Sequence, residues 1–401
     1  MNNIRRGWCP SLFKPMETGD GFLCRIKPFF GSVTSDQAQF VAEISEQYGN
    51  GYINLSQKGN LQLRGFTREN IDLVIPQVIK AQLSSDTANM EEKRNIMISP
   101  LWDIDPLRHV EVYDIAQELQ IALQNHPDIH PLTGKFSFLI SGGEQYGLQK
   151  IYNDVNIRAY KDQWIVQLGK FEQVILCEKQ QLVPLILEIM QFCIHHQIKR
   201  LLESQNAEQY LKECVYPTIY YKNVEDQHLL PLGFVELSTI SFVHIGVPFG
   251  LINAGQLSDL ANFAEQYGNG TMRFTPWRSI ILPDCEQEAL EKLGDFITDD
   301  HDPRLHITLC PGKPSCIQGQ QATMQDVFDL IPIWKNQKQI LHLSGCAKGC
   351  ASPGINPVTL SATADGYNLI LNGKADQKPS YRNLKLTEIL NLLQTEFCNS
   401  H

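Results

Sequence analysis

Four cysteines stand at spacings that can hold metal. Cys310-Pro-Gly-Lys-Pro-Ser-Cys316 places five residues between its thiols, and Ser344-Gly-Cys346-Ala-Lys-Gly-Cys350 places three. Zinc sites usually show two to four residues between paired ligands, with a second pair of similar form. Five then three suits zinc poorly. Thiolates alone, set among glycine and proline, suit an iron–sulfur cluster better. Glycines let backbone N–H groups approach the sulfurs, and those bonds tune the reduction potential. Lys313 and Lys348 lie inside the two loops, where they can offset thiolate charge. The expected group is one [4Fe-4S] cluster on Cys310, Cys316, Cys346 and Cys350, with structural zinc the weaker alternative.

The other seven of the eleven cysteines (Cys9, Cys24, Cys177, Cys193, Cys214, Cys285 and Cys398) have no partner at ligand spacing. They read as core or surface thiols. Cys9, flanked by glycine and proline, has little reason to be core. A chain of 401 residues with a net charge of −10 has room for two or three domains and is a poor partner for nucleic acid. No apolar run reaches membrane-spanning length, and no apolar segment follows Arg5 and Arg6 as in a secretory signal. The expectation is a cytoplasmic protein with no membrane partner.

The elements that position the cysteines follow a repeat. Glu46-Gln47-Tyr48-Gly49-Asn50-Gly51 recurs word for word as Glu265-Gln266-Tyr267-Gly268-Asn269-Gly270. Before each copy comes a strand-like run (Phe22 to Ile26, Phe242 to Val247). Then follow a Phe-Gly turn (Phe30-Gly31, Phe249-Gly250) and a helical pattern (Asp36 to Tyr48, Gln256 to Tyr267). After each comes an alternating strand, Tyr52 to Leu55 and Thr271 to Phe274. The Gly-Asn-Gly step suits a left-handed helix terminus. The chain therefore reads as two pseudo-symmetric halves, each a small β-α-β unit running into a larger α/β segment. Such halves are expected to face each other across a cleft. A further helix is expected over Leu182 to Ser204, with loops over Asn125 to Pro131 and Lys222 to Pro231.

Thiols at these spacings, in the second half of a twofold repeat, resemble the sulfite and nitrite reductase superfamily. Within it the wording is similar to the precorrin-3B synthase family of aerobic cobalamin biosynthesis. The matching phrases are Arg5-Arg6-Gly7-Trp8-Cys9-Pro10, Pro15-Met16-Glu17-Thr18-Gly19-Asp20-Gly21, Asn60-Leu61-Gln62-Leu63-Arg64-Gly65, Thr275-Pro276-Trp277-Arg278, Cys310-Pro311-Gly312 and Ser344-Gly345-Cys346-Ala347-Lys348-Gly349-Cys350-Ala351. With the repeat, the resemblance implies an α+β, haem-binding-like fold. Its parts are two ferredoxin-like half-units (residues 1–75 and 241–295) pairing into one domain, and two α/β domains (76–240 and 296–401) around a tetrapyrrole cleft. The second α/β domain would carry the cluster.

The resemblance also carries ligands for tetrapyrrole carboxylates. Lys58 and Arg64 match the first basic motif, Arg94-Asn95 the second, and Lys135 the first lysine of a Lys-x-Lys motif. Lys58 stands where the reductases have arginine, and Ser137 replaces the second lysine, which argues against sulfite or nitrite as substrate. Arg273 and Arg278 from the second repeat would complete a basic rim, each cation pairing with a carboxylate. Trp277 would stack on the macrocycle. Any one of these charges, taken alone, would pass for a solvated surface residue.

The implied reaction hydroxylates precorrin-3A with one oxygen atom of O2 and closes an acetate to a lactone, giving precorrin-3B and water. Electrons would come from an external reductant (NADH or a reductase), since no Gly-x-Gly-x-x-Gly phrase occurs. The family also implies a mononuclear non-haem iron, whose ligands have no visible signature. None of the eleven histidines shows facial-triad spacing, and His195 and His196 are consecutive. The alternatives are a siroheme-dependent sulfite or nitrite reductase and a non-catalytic tetrapyrrole binder.

Overall fold

The computed structural model describes residues 10–397, apart from 110, 127, 130–133, 144, 147, 149–150, 203, 223–229, 239, 336 and 338. Cys9, Cys398 and the Arg5-to-Cys9 phrase lie outside the described residues. So does part of each expected loop.

Local signals explain the repeated unit. The helix Ser35–Tyr48 starts on a capping box in which Thr34 and Gln37 bond reciprocally, and Ala38, Val41, Ala42 and Ile44 form its buried stripe. Its counterpart Ala254–Tyr267 starts on the same device with Asn253 and Gln256. In each Gly-Asn-Gly step the second glycine is the left-handed residue, Gly51 at φ +76° and Gly270 at φ +72°. The first is extended, and glycine is needed there for space: a Cβ on Gly49 would stand 2.5 Å from Arg64 O.

The two half-units do more than face each other, because each completes the other's sheet. One five-stranded sheet runs Met16–Thr18, Gly21–Ile26, Leu61–Phe66, Tyr52–Leu55 and then Leu251–Asn253 from the second repeat. The other runs Gly233–Leu237, Ile240–Gly246, Ser279–Pro283, Thr271–Phe274 and then Ser32–Thr34 from the first. One hydrophobic core spans both, with Val41, Ile53 and Leu63 sharing it with Leu260, Met272 and Leu282.

The α/β segments repeat as well. A six-stranded sheet orders Ile96–Ile98, Phe138–Ser141 and Val155–Tyr160 in parallel, then adds Gln163–Leu168, Gln173–Cys177 and Thr218–Tyr220 antiparallel. A five-stranded sheet orders Ile307–Leu309, Leu341–Ser344 and Asn356–Thr363 in parallel, then adds Gly366–Gly373 and Tyr381–Leu384 antiparallel. Each has its own apolar core.

One helix differs from expectation. The Leu182-to-Ser204 pattern is a helix over Lys179–His195, followed by a separate helix Ser204–Glu213. Gln197 turns left-handed at φ +55°, and Ile198 N–H closes back on Cys193 O at 2.8 Å. This is a Schellman terminus built without glycine. Ile198 and Leu201 stay buried beyond it, so the apolar periodicity outlasts the helix.

Candidate functional site

Two parallel strands end at the cysteines. Ile307–Leu309 leads into Cys310 and its neighbour Leu341–Ser344 leads into Cys346, with Leu309 opposite Leu343. The carboxyl ends of parallel strands are where such sheets bind ligands. Gly345 N–H donates to Cys310 Sγ at 2.8 Å. The approach needs glycine, since a Cβ on Gly345 would lie 2.9 Å from Gly312 Cα and 3.0 Å from Cys310 Sγ. Burial pushes the Cys310 thiol up to about 11, opposed by the N–H groups of Gly345 and Gly312. Burial also raises the Cys350 thiol, with Cys346 and Cys316 adding to the rise and Lys348 opposing it. Cys316 and Cys346 thus lie within electrostatic reach of both Cys310 and Cys350. Among the described residues, no three His, Cys, Asp or Glu side chains cluster closely enough to chelate a single ion. Away from these loops, burial pushes the thiols of Cys24, Cys177 and Cys193 up to about 12 and that of Cys285 to about 11, as core thiols.

The expected basic rim divides into separate settings. Arg64 is buried and bidentate on Asp20, with Nε to Oδ2 at 3.1 Å and Nη2 to Oδ1 at 3.0 Å. Its Nη2 also donates to Ser315 O at 2.5 Å, inside the first cysteine loop. Burial acts to raise the Asp20 carboxyl, but the bond and charge of Arg64 hold it below its ordinary value. Gly19 N–H donates to the same Ser315 O at 3.2 Å. The Thr18-Gly19-Asp20 phrase, matched in the sequence without a role, therefore docks the cysteine loop. Arg273 is likewise buried and bidentate, on Asp103, and donates to Pro100 O at 2.9 Å.

Lys58 and Arg94 come together. They line one narrow pocket with Phe30, Asn95, Asn153 and Pro276, and its free volume is about 30 Å³. Arg94 is paired with Glu91 at 2.7 Å and donates to Lys27 O at 2.5 Å. Its guanidinium lies 3.5 Å from the Phe29 ring centroid. Lys58 Nζ donates to Asn153 Oδ1 at 2.8 Å, and the buried Ser137 hydroxyl donates to that same oxygen at 2.7 Å. Lys135 is half-buried in the turn just before Ser137.

Trp277 and Arg278 line a second cavity of about 670 Å³, walled largely by Leu232, Val247, Phe249 and Ile307. Trp277 also packs against Met97 and Leu139 of the first α/β segment. Pro276 lines both cavities, so the Thr275-to-Arg278 turn divides them. Below that turn runs a polar chain the sequence did not suggest. His244 Nδ1 lies 2.8 Å from Pro231 O, which only accepts, so Nδ1 carries the proton. Nε2 then accepts from Ser279 at 2.6 Å, and the Thr275 hydroxyl lies 2.5 Å from Ser279 Oγ. Burial pushes the His244 imidazole down to about 4, keeping it neutral. His342, under the second cysteine loop, is held down to about 4 by burial and by the charge of Arg278.

Residues 14–78 and 238–296 both match the family Nitrite/Sulfite reductase ferredoxin-like half domain. Both half-units are thus similar to the ferredoxin-like half domain of nitrite and sulfite reductases. Over a longer span, a precorrin-3B synthase from Sinorhizobium sp is 28% identical over 94% of this chain and 85% of its own length. A ferredoxin–nitrite reductase from Leptolyngbya laminosa is 25% identical over 92% of this chain and 83% of its own. The structure of the Mycobacterium tuberculosis NirA protein superposes with a TM-score of 0.71, covering 92% of this chain and 79% of its own, at 15% identity. The superposition establishes a shared fold. No helix among the described residues is long and apolar enough to cross a membrane.

Proposed function

We propose that this protein is a member of the sulfite and nitrite reductase superfamily and, within it, a precorrin-3B synthase-type oxidoreductase acting in cobalamin biosynthesis. In the finer form of the reading it is a monooxygenase that takes precorrin-3A and O2 to precorrin-3B, with an external reductant. The observation that carries it is the likeness to a precorrin-3B synthase along 94% of the chain. The loss of the second lysine at Ser137, with its hydroxyl tied to Asn153, supports a substrate other than a small anion.

Cys310, Cys316, Cys346 and Cys350 would hold the [4Fe-4S] cluster. The Gly345 N–H on Cys310 Sγ and the nearness of Cys316 and Cys346 to both Cys310 and Cys350 fit such a group. When bound, it would pass electrons singly from the reductant to the site. The chain's own residues bind and orient. In this reading Lys58 and Arg94 offer cations to peripheral carboxylates from one side of the Thr275-to-Arg278 turn, and Trp277 and Arg278 offer a ring and a cation from the other. The neutral His244, bonded through Ser279 to Thr275, fixes the shape of that turn.

The nitrite reductase relatives favour a second reading, a siroheme-dependent sulfite or nitrite reductase. An anaerobic visible and electron-paramagnetic-resonance spectrum, with acid-labile sulfide and siroheme extraction, separates the two. The expected result is a reducible four-iron cluster without siroheme, and oxygen uptake that depends on precorrin-3A. Siroheme in proportion to protein would establish the second reading instead.

A further inference from the structure

Each half-unit sends one arginine to one cysteine loop. Arg64, on the strand Leu61–Phe66, donates to Ser315 O between Cys310 and Cys316 at 2.5 Å. Arg278, in the turn after the strand Thr271–Phe274, donates to Ala351 O, directly after Cys350, at 3.1 Å. We propose that Arg64 and Arg278 are positioning residues that clamp the two cysteine loops against the half-unit domain. They thereby set how firmly the cysteines hold their metal group and at what potential it is reduced. The proposal rests on the reading of these cysteines as cluster ligands.

The first clamp is tied on both sides of one peptide. Ser315 O accepts from both Arg64 and Gly19, while Cys316 N–H on the same peptide donates to Gly312 O at 2.7 Å. That peptide plane cannot rotate without breaking bonds on both sides. Asp20 in turn fixes the guanidinium, with side-chain exposure of 14% against 9% for Arg64. A buried bidentate pair of this kind has one geometry.

The second clamp is held at a conformational cost. Arg278 has φ +59°, the left-handed region that favours glycine. The repeat shows what the position would otherwise hold. Arg278 lies 219 residues beyond Gly59, the same shift that relates Glu46 to Glu265. Gly59 has φ +65° and donates to Ser56 O at 3.0 Å, as Arg278 donates to Thr275 O at 3.2 Å. The turns close alike, Ser56 N–H on Asn60 O and Thr275 N–H on Ser279 O, both at 2.9 Å. Glycine would serve this backbone, yet an arginine occupies it. Its side chain passes over Gly250, where a Cβ would lie 2.7 Å from Arg278 Cδ. Both the strain and the cleared path are explained if the guanidinium is wanted at the Ala351 carbonyl.

The test uses anaerobically purified holoprotein as wild type, Arg278→Gly, Arg278→Lys and Arg64→Lys. Iron and sulfide per chain, the reductive midpoint, the electron-paramagnetic-resonance spectrum, chelator resistance and thermal melting are all measured. Arg278→Gly suits the backbone and should melt as wild type does. It should nevertheless lose iron to a chelator about tenfold faster, as expected for a lost charge-assisted bond. Its midpoint should fall, because a nearby positive charge has gone. Arg278→Lys should restore part of the midpoint, and Arg64→Lys should shift the spectrum by loosening the first loop. Variants that bind iron with wild-type midpoint, spectrum and chelator resistance would overturn the clamp and leave both arginines as packing. Wild-type protein that holds no iron or sulfide after anaerobic reconstitution would instead overturn the cluster reading, and the clamp with it.

Discussion

Lys58 and Ser137 donate to one oxygen, Asn153 Oδ1, at 2.8 and 2.7 Å. The two donors lie 79 residues apart in sequence. A neutral amide thus receives both the Lys58 ammonium and the Ser137 hydroxyl. Asn153 and Ser137 are each only 1% exposed, so a charge brought there meets little water.

Placing a lysine at position 137 should therefore create an anion site at the expense of stability. Ser137→Lys is expected to lower stability by about 2 kcal/mol or more, by burying a second ammonium beside Lys58. Adding sulfite or nitrite should raise the melting temperature of the variant and leave that of wild type unchanged. Equal stabilisation of both proteins would show that Ser137 does not exclude the anion.

Stability should fall with acid through His244. Its folded value of about 4 lies below the unfolded 6.5, so between these values the unfolded chain takes up a proton that the folded one refuses. The contribution is complete above about pH 6.5 and declines toward pH 4, by up to about 1.4 kcal/mol per pH unit. His342 acts in the same direction. His244→Gln should flatten only part of the slope in urea midpoints measured across this window. An unchanged slope would mean that the buried imidazole accepts its proton in the folded state.

The Asp20–Arg64 pair should be costly to break and cheap to replace. Asp20→Asn leaves a buried guanidinium without its carboxylate and is expected to cost about 3 kcal/mol. Asp20→Leu combined with Arg64→Met should recover most of that loss. Denaturant midpoints decide it, and a double variant no better than the single would contradict a desolvation origin.

Cysteines of the two classes should separate by metal content. Cys346→Ser should reduce iron and sulfide per chain to background in purified protein. Cys285→Ala, a buried thiol within the half-unit core, should keep them while losing about 1 kcal/mol of packing. Full iron in Cys346→Ser would remove it from the ligand set.

The strand exchange predicts that one half-unit cannot fold alone. Residues 14–78 lack the strand Leu251–Asn253 and the helix Ala254–Tyr267 that cover their sheet and core. That fragment should give a poorly dispersed amide spectrum. Joined to residues 238–296 it should unfold cooperatively. A well-dispersed monomeric spectrum from the first fragment alone would refute the interdependence.

The repeat was legible in the sequence because its signals are local. Capping residues, helical periodicity and the alternating strands Tyr52–Leu55 and Thr271–Phe274 all act within a few positions, and the structure places them there. The Lys179–His195 helix shows the limit: apolar spacing runs on to Leu201, but the backbone turns left-handed at Gln197. Hydrophobic periodicity reports burial, and burial does not require that the helix continue.

The sequence by itself determined the twofold organisation and brought the four cysteines out by their spacing. Only the tertiary structure decided what the cations do. Arg64 and Arg273 resemble exposed rim residues in sequence, yet each is buried and lies on a carboxylate, Asp20 and Asp103. Lys58 and Ser137 meet through Asn153, and Arg278 reaches the residue after Cys350. A long cationic side chain can reach in many directions from its own backbone. Its partner is set by which carboxylate or carbonyl the packed domains bring near it, and by the cost of leaving that charge buried without one.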